Sequence, residues 1–196
     1  MKPNNKINLQ TMTIAALLIA IAIVIPVFCP KIVLGPASVT LASHVPVFIA
    51  MFISPPVAVA VALGSTAGFL LAGFPIVIVL RAFTHILFAL TGAYILKKHS
   101  NILSSFGRGT AFGLLLALIH AISEVAAVTL YYLAMGVPKG GQEYLTSVVL
   151  LVGGVTVVHS MVDFGIAVFV WRPLTRIIKI PFSAKIAPKR KTAVQE

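Results

Sequence analysis

The stretch MFISPPVAVAVALGSTAGFLLAGFPIVIVL (51–80) can be read as one long helix with a re-entrant end, or as pieces of three spans separated by two tight breaks. The choice fixes the architecture. Ser54-Pro55-Pro56 favours a break, because two prolines withdraw amide donors and restrict the residue before them. Gly73-Phe74-Pro75 supplies a second one. Freed backbone groups find no water in a bilayer core, so such breaks belong at span ends. A five-span reading, with 39–63 as one helix and 64–73 re-entrant, puts Lys97 and Lys98 on the opposite side from Lys2 and Lys6. Six spans place Lys2, Lys6, Lys97, Lys98, Arg108, Arg172, Arg176, Lys179, Lys185, Lys189, Arg190 and Lys191 on the cytoplasmic side, leaving Lys31 and Lys139 outside. The positive-inside rule chooses six, with both termini cytoplasmic.

Composition agrees with an all-α integral membrane protein. Hydrophobic residues make up 59% of the chain and charged residues 10%, against roughly 25% charged in soluble domains. Mean hydropathy is +1.07. A chain of 196 residues has room for about five or six spans and no further soluble domain. We place one membrane domain at 1–180 and a basic tail at 181–196. The net charge of +11 sits at the termini and in one short loop, as topology requires, and so does not indicate nucleic-acid binding. Cys29 is the single cysteine, which excludes an internal disulfide and any multi-cysteine metal site. The N-terminus has a basic region before an apolar one, but the apolar run continues into FCPK without a small-residue cleavage site, so it reads as an uncleaved first span.

The apolar runs are 11–29, 39–53, 57–72, 75–96, 110–135 and 144–171, and the outer connections are 30–42, 73–75 and 136–143. The first connection, CPKIVLGPASVTLAS, is long and apolar where a solvated loop would be polar, and we expect it to fold over the bundle as a lid. The tail KIPFSAKIAPKRKTAVQE reads as a mobile segment on anionic lipid.

Ionisable groups inside spans are costly and face a protein interior or a water-filled cavity. Arg81 and His85 lie in the fourth span, His120 and Glu124 in the fifth, and His159 and Asp163 in the sixth. Each pair is spaced i, i+4, on one helix face, and Ser43 and His44 open the second span. Guanidinium stays charged and must find an anion. Arg81 lies about 9 Å into its span by helical rise, at the depth of Glu124. Either the two pair structurally, or Arg81 faces a cavity where an anionic ligand completes its neutralisation. His120 and His159, each with a serine nearby, read as interhelical hydrogen-bonding groups. Asp163 reads as the partner of a basic group toward the inner side. The His-x-x-x-Glu and His-x-x-x-Asp sets carry metal-ligand types, but without a thiolate and at separate depths they do not make one site, and no metal is expected. Tyr131 and Tyr132, Phe74, Phe69 and Phe83 are available to a ligand ring, while Trp171 reads as part of the inner aromatic belt.

A six-span basic chain containing PASVTLASHVPVFIAMFISP followed by LGSTAGFLLAGFPIVIVLRAFTHILFALTGAYILKK resembles the substrate-binding S components of energy-coupling factor vitamin transporters, and most closely their niacin-specific branch. The likeness covers 11–172. It implies a bacterial cell-membrane protein that captures a vitamin from outside. Its partners would be a transmembrane coupling subunit and two cytoplasmic ATPases, with ATP used by those subunits and no cofactor in this chain. The absence of a Gly-rich phosphate loop ending in Lys-Ser/Thr agrees. Docking in the family uses small residues on the first helix, which Ala16 and Ala20 supply, with the patch continuing through Ala15 and Ala22.

The site that follows has Arg81 on the substrate carboxylate, hydrogen bonds from His85 and His44, Glu124 orienting Arg81 or accepting from the ring, Tyr131 stacking, and Lys31 attracting the anion at the lid. Nicotinate fits this set, pantothenate also carries a carboxylate, and pyridoxine does not need the arginine. An enzyme is not expected, since HExxH and GxSxG are missing. The remaining rival is a stand-alone proton-coupled carrier with Glu124 and Asp163 as relays.

Overall fold

The computed structural model describes residues 9–34, 37–136, 140–177 and 179–186. Helix α1 is Leu9–Phe28, followed by strands β1, Lys31–Leu34, and β2, Ala37–Thr40. Helices α2, Val45–Ile53, α3, Pro55–Leu71, and α4, Ile76–Lys98, come next. A 3-10 turn, Ile102–Ser104, leads into α5, Phe106–Ala134. Helix α6, Gly141–Tyr144, runs through a π-helical segment, Leu145–Gly154, into α7, Val155–Ile177. Four helical stretches are long and apolar enough to cross a membrane: Leu9–Phe28, Ile76–Lys98, Phe106–Ala134 and the composite Gly141–Ile177; α3 is a shorter apolar helix.

The expected second span is corrected. Helix α2 has 9 residues, a length of about 13 Å against a hydrocarbon core of about 30 Å. The first part of the 39–53 run is strand and turn, because the lid segment pairs with itself as an antiparallel hairpin, Lys31 opposite Thr40 and Leu34 opposite Ala37. The fold is therefore helical with one small sheet. β-branched residues flank the Gly35-Pro36 pair, which lies outside the described residues, and apolar periodicity does not distinguish such a run from helix. Every residue of α2 is buried, and the helix packs against α1, α3, α4 and α7. Pro55 at the start of α3 sits where its missing amide is least costly.

The outward faces are apolar: Leu17, Phe83, Leu130 and Phe169 are all exposed, as a lipid-facing belt requires. The interior holds small residues and the polar cluster. Gly64 and Gly68 of α3 lie against Ile19 and Ile23 of α1, and a Cβ built on Gly68 would stand 2.2 Å from Ile23 Cγ1. That contact sets how α1 approaches the bundle.

Two inner-side expectations also change. Trp171 is fully buried, not part of an interfacial belt, and its indole N–H donates to the Ala184 carbonyl at 3.0 Å. Residues 181–186 are docked: Ser183 and Ala184 amides donate to Phe52 and Ile53 carbonyls, the Lys185 amide donates to Ser100, and the Phe182 ring meets Trp171 edge-on at 5.3 Å. This segment caps the carbonyl end of α2, which has no successor turn of its own. Residues 187–196, with Lys189, Arg190 and Lys191, lie outside the described residues, as do Lys2, Lys6 and Lys139.

Candidate functional site

The buried stripe of α4 runs through Arg81, His85, Phe88 and Gly92, that of α5 through Leu116, His120, Glu124 and Val128, and that of α7 through Thr156, His159, Asp163 and Ala167. The ionisable residues thus continue the apolar stripes that pack the helices, and packing brings them together. Gly92 allows this closeness, since a Cβ there would meet Met51 Sδ at 2.2 Å and Leu116 near 3.1 Å.

Glu124 is the meeting point of three helices. Its Oε2 accepts from Arg81 Nη2 at 3.0 Å and from the Thr156 hydroxyl. Its Oε1 faces His120 Nε2 at 3.4 Å and His85 Nε2 at 3.8 Å. Of the two alternatives open for Arg81, the pairing with Glu124 is present, and Arg81 lines a cavity as well. His120 Nδ1 and Ser160 Oγ are 2.6 Å apart, and His159 Nε2 and Ser43 Oγ 3.1 Å, so both histidines do bond between elements.

Asp163 departs from its expected role. It meets no inner basic group among the described residues. Its Oδ1 accepts the Ala42 amide at 2.8 Å, and its Oδ2 accepts the His44 amide at 2.9 Å and faces His44 Nδ1 at 3.2 Å. A carboxylate here satisfies donors at the N-terminus of α2, which has no cap from its own side chains, and complements its dipole. The turn before it is tight, with Ala42 at φ 67°. Nothing local in the sequence signals this latch, because its partners are about 120 residues apart.

A cavity of about 230 Å³ opens above this network, lined by Arg81, His85, Glu124 and His44 below and by Lys31, Ser38, Thr40, Ser65, Phe69 and Phe74 around it. The Phe69 and Phe74 rings stack at 4.9 Å and 22°, and Lys31 Nζ lies 5.0 Å from the Phe74 centroid. Five of the six expected site residues therefore meet at one cavity. Tyr131 does not: it packs on Tyr132, with centroids 5.8 Å apart. It shares Glu124's angular position seven residues on, but that is about 10 Å farther along the helix. Ser65, Ser38 and Thr40 were missed, having only ordinary polar identity to mark them. A larger groove of about 610 Å³ between α5 and the π-helical segment is apolar apart from Thr129 and Tyr144 and carries no charged group. It lacks the convergent polar groups of a ligand site.

On α1, Ala16 and Ala20 lie on the exposed face, while Ala15 is half-buried and Ala22 fully buried against the bundle. The surface patch does not continue through the latter two.

No family profile matches the chain and no solved structure is similar to it. The chain is 37% identical over 181 residues to the niacin transporter NiaX of Lactococcus lactis subsp. cremoris, covering 92% of this chain and 81% of that protein. With a relative this similar along nearly its whole length, the chain belongs to the S components of energy-coupling factor transporters, in the branch that contains the niacin transporter.

Proposed function

We propose that the chain is the nicotinate-binding S component of an energy-coupling factor transporter in the bacterial cell membrane, taking the vitamin from outside for import driven by partner ATPases. The observation that carries this reading is Arg81: a buried guanidinium, held by Glu124 at 3.0 Å, that also lines the cavity. Glu124 fixes the fork, and the face toward the cavity meets the carboxylate. The pyridine ring lies against the stacked pair Phe69 and Phe74, which takes the part assigned from sequence to Tyr131. His85, whose Nδ1 has no hydrogen-bond partner among the described residues, and His44 supply hydrogen bonds, and Lys31 draws the anion toward the hairpin. A volume of about 230 Å³ falls below the usual 300 Å³ or more of drug-sized ligand sites and suits a compact one-ring acid better than pantothenate.

In this reading both termini are cytoplasmic and the chain crosses six times, the second crossing made jointly by the hairpin turn and α2. Support comes from the docking of 183–184 on the end of α2, with Ala184 also accepting from Trp171 of α7, so these two helix ends lie on one side of the bundle. Ala16 and Ala20 present the small-residue face to the coupling subunit, and ATP is spent by the partners.

Uptake into proteoliposomes tests the reading. The chain alone is expected to bind nicotinate without concentrating it, and to concentrate it only with the coupling subunit, both ATPases and ATP. Uptake by the chain alone under a proton gradient would establish the carrier instead. Binding of pyridoxine in place of nicotinate would keep the transporter and remove Arg81 from the ligand.

A further inference from the structure

His44 stands at the centre of four buried imidazoles: its ring centroid is 4.7 Å from His85, 4.8 Å from His120 and 4.7 Å from His159. His120 and His159, from the sets expected at separate depths, fall in two different clusters that share His44. We propose that His44, His85 and His120 form a binding site for a borderline divalent transition-metal ion of the zinc type at the floor of the cavity. One nitrogen from each lies within 4.8 Å of the others. A tetrahedral zinc site has nitrogens about 3.4 Å apart, so binding draws each ring in by less than about 1 Å.

Three further observations support this triad over a hydrogen-bonded core. First, His85 Nδ1 and His120 Nε2 are buried with no well-formed hydrogen bond among the described residues, His120 Nε2 having only the Glu124 carboxylate at 3.4 Å, which is uncommon for buried polar atoms and is relieved by coordination. Second, in two of the three imidazoles the other nitrogen is oriented from behind. Asp163 can only accept, so His44 Nδ1 carries the proton toward it at 3.2 Å and leaves Nε2 as a lone pair. The Ser160 hydroxyl lies 2.6 Å from His120 Nδ1 and is able to accept from it, which leaves Nε2 as the lone pair in that tautomer. A carboxylate or hydroxyl behind each ligating imidazole is the usual outer shell of a metal site. Third, the buried ionised side chains among the described residues are Arg81, Glu124 and Asp163, one negative charge in excess when the imidazoles are neutral. A dication reverses that sign and favours an anion in the cavity above. Three imidazoles leave a fourth position open, and His44 and His85 line the cavity. His159 is not assigned as a ligand, because its Nε2 is engaged with Ser43. With the ion bound, the lone pairs of His44 and His85 are spent on the metal, and its open fourth position takes the place of the hydrogen bonds these two imidazoles give the cavity ligand in its absence.

The test uses full-length protein without a polyhistidine tag, stripped with chelator in detergent, then titrated with zinc and desalted for elemental analysis. One zinc per chain is expected, with at least tenfold weaker binding in His120→Ala and in His85→Ala. His99→Ala, exposed at the end of α4, is expected to match the wild type. If a variant fails to fold, cobalt(II) bound to the wild type decides. A tetrahedral nitrogen-ligand spectrum supports the site, and an octahedral aqua-like spectrum overturns it. Folded wild-type protein that retains no zinc, or variants that bind as the wild type does, also overturn it.

Discussion

Arg81 and Glu124 each need the other for a reason of solvation. Their side chains are 8% and 3% exposed, and removing one partner of a buried pair leaves an uncompensated charge costing about 3–5 kcal/mol. Arg81→Gln is therefore expected to lower thermal stability sharply as well as to lose nicotinate, whereas Arg81→Gln/Glu124→Gln regains most of the stability and none of the binding. Thermal unfolding in detergent beside equilibrium binding separates the two effects, and a double variant that binds like the wild type would take Arg81 off the ligand. The sequence made this pair legible, because a guanidinium inside a span has few acids to meet. It did not make Asp163's latch legible, since two of the donors it satisfies are backbone amides, which carry no residue identity. Tyr131 was misplaced because helical spacing reports angle and not depth.

Helix α1 leans on α3 through glycine. With a Cβ at Gly68 standing 2.2 Å from Ile23 Cγ1, Gly68→Ala forces the β-branched Ile23 or the helix aside, at about 1–3 kcal/mol. A lowered melting temperature is expected, with nicotinate affinity little changed, since Gly68 does not line the cavity. The hairpin and α2 show where periodicity fails. The prolines after Ile53 marked the break correctly, but the run ahead of it mixed a strand with a helix too short to cross alone. Helix α2, VPVFIAMFI, is buried on every side and has no polar residue to set its bounds within the apolar run.

The bundle keeps apolar residues on its outer faces and Arg81, Glu124 and Asp163 within, and the end away from the cavity is closed by residues 180–186. Ile180 and Ala184 are 4% and 0% exposed, and Trp171, also buried, is the chain's single tryptophan. Truncation before Ile180 is expected to shift Trp171 emission to the red and lower stability, with the cavity at the other end unaffected; unchanged emission would mean that the segment does not dock. The overall class and the inward clustering of charge were readable from composition and charge placement. The docked tail was not, because its basic residues suggested the lipid surface while its contacts are made by backbone and apolar groups. Whether a carboxylate meets Arg81 in the cavity is decided by equilibrium binding of nicotinate and nicotinamide to the purified wild-type protein. The two differ only in the charged group. Nicotinate is expected to bind at least a hundredfold more tightly, a difference of about 2.7 kcal/mol; equal affinity for the amide, or no binding of the acid, would contradict the account.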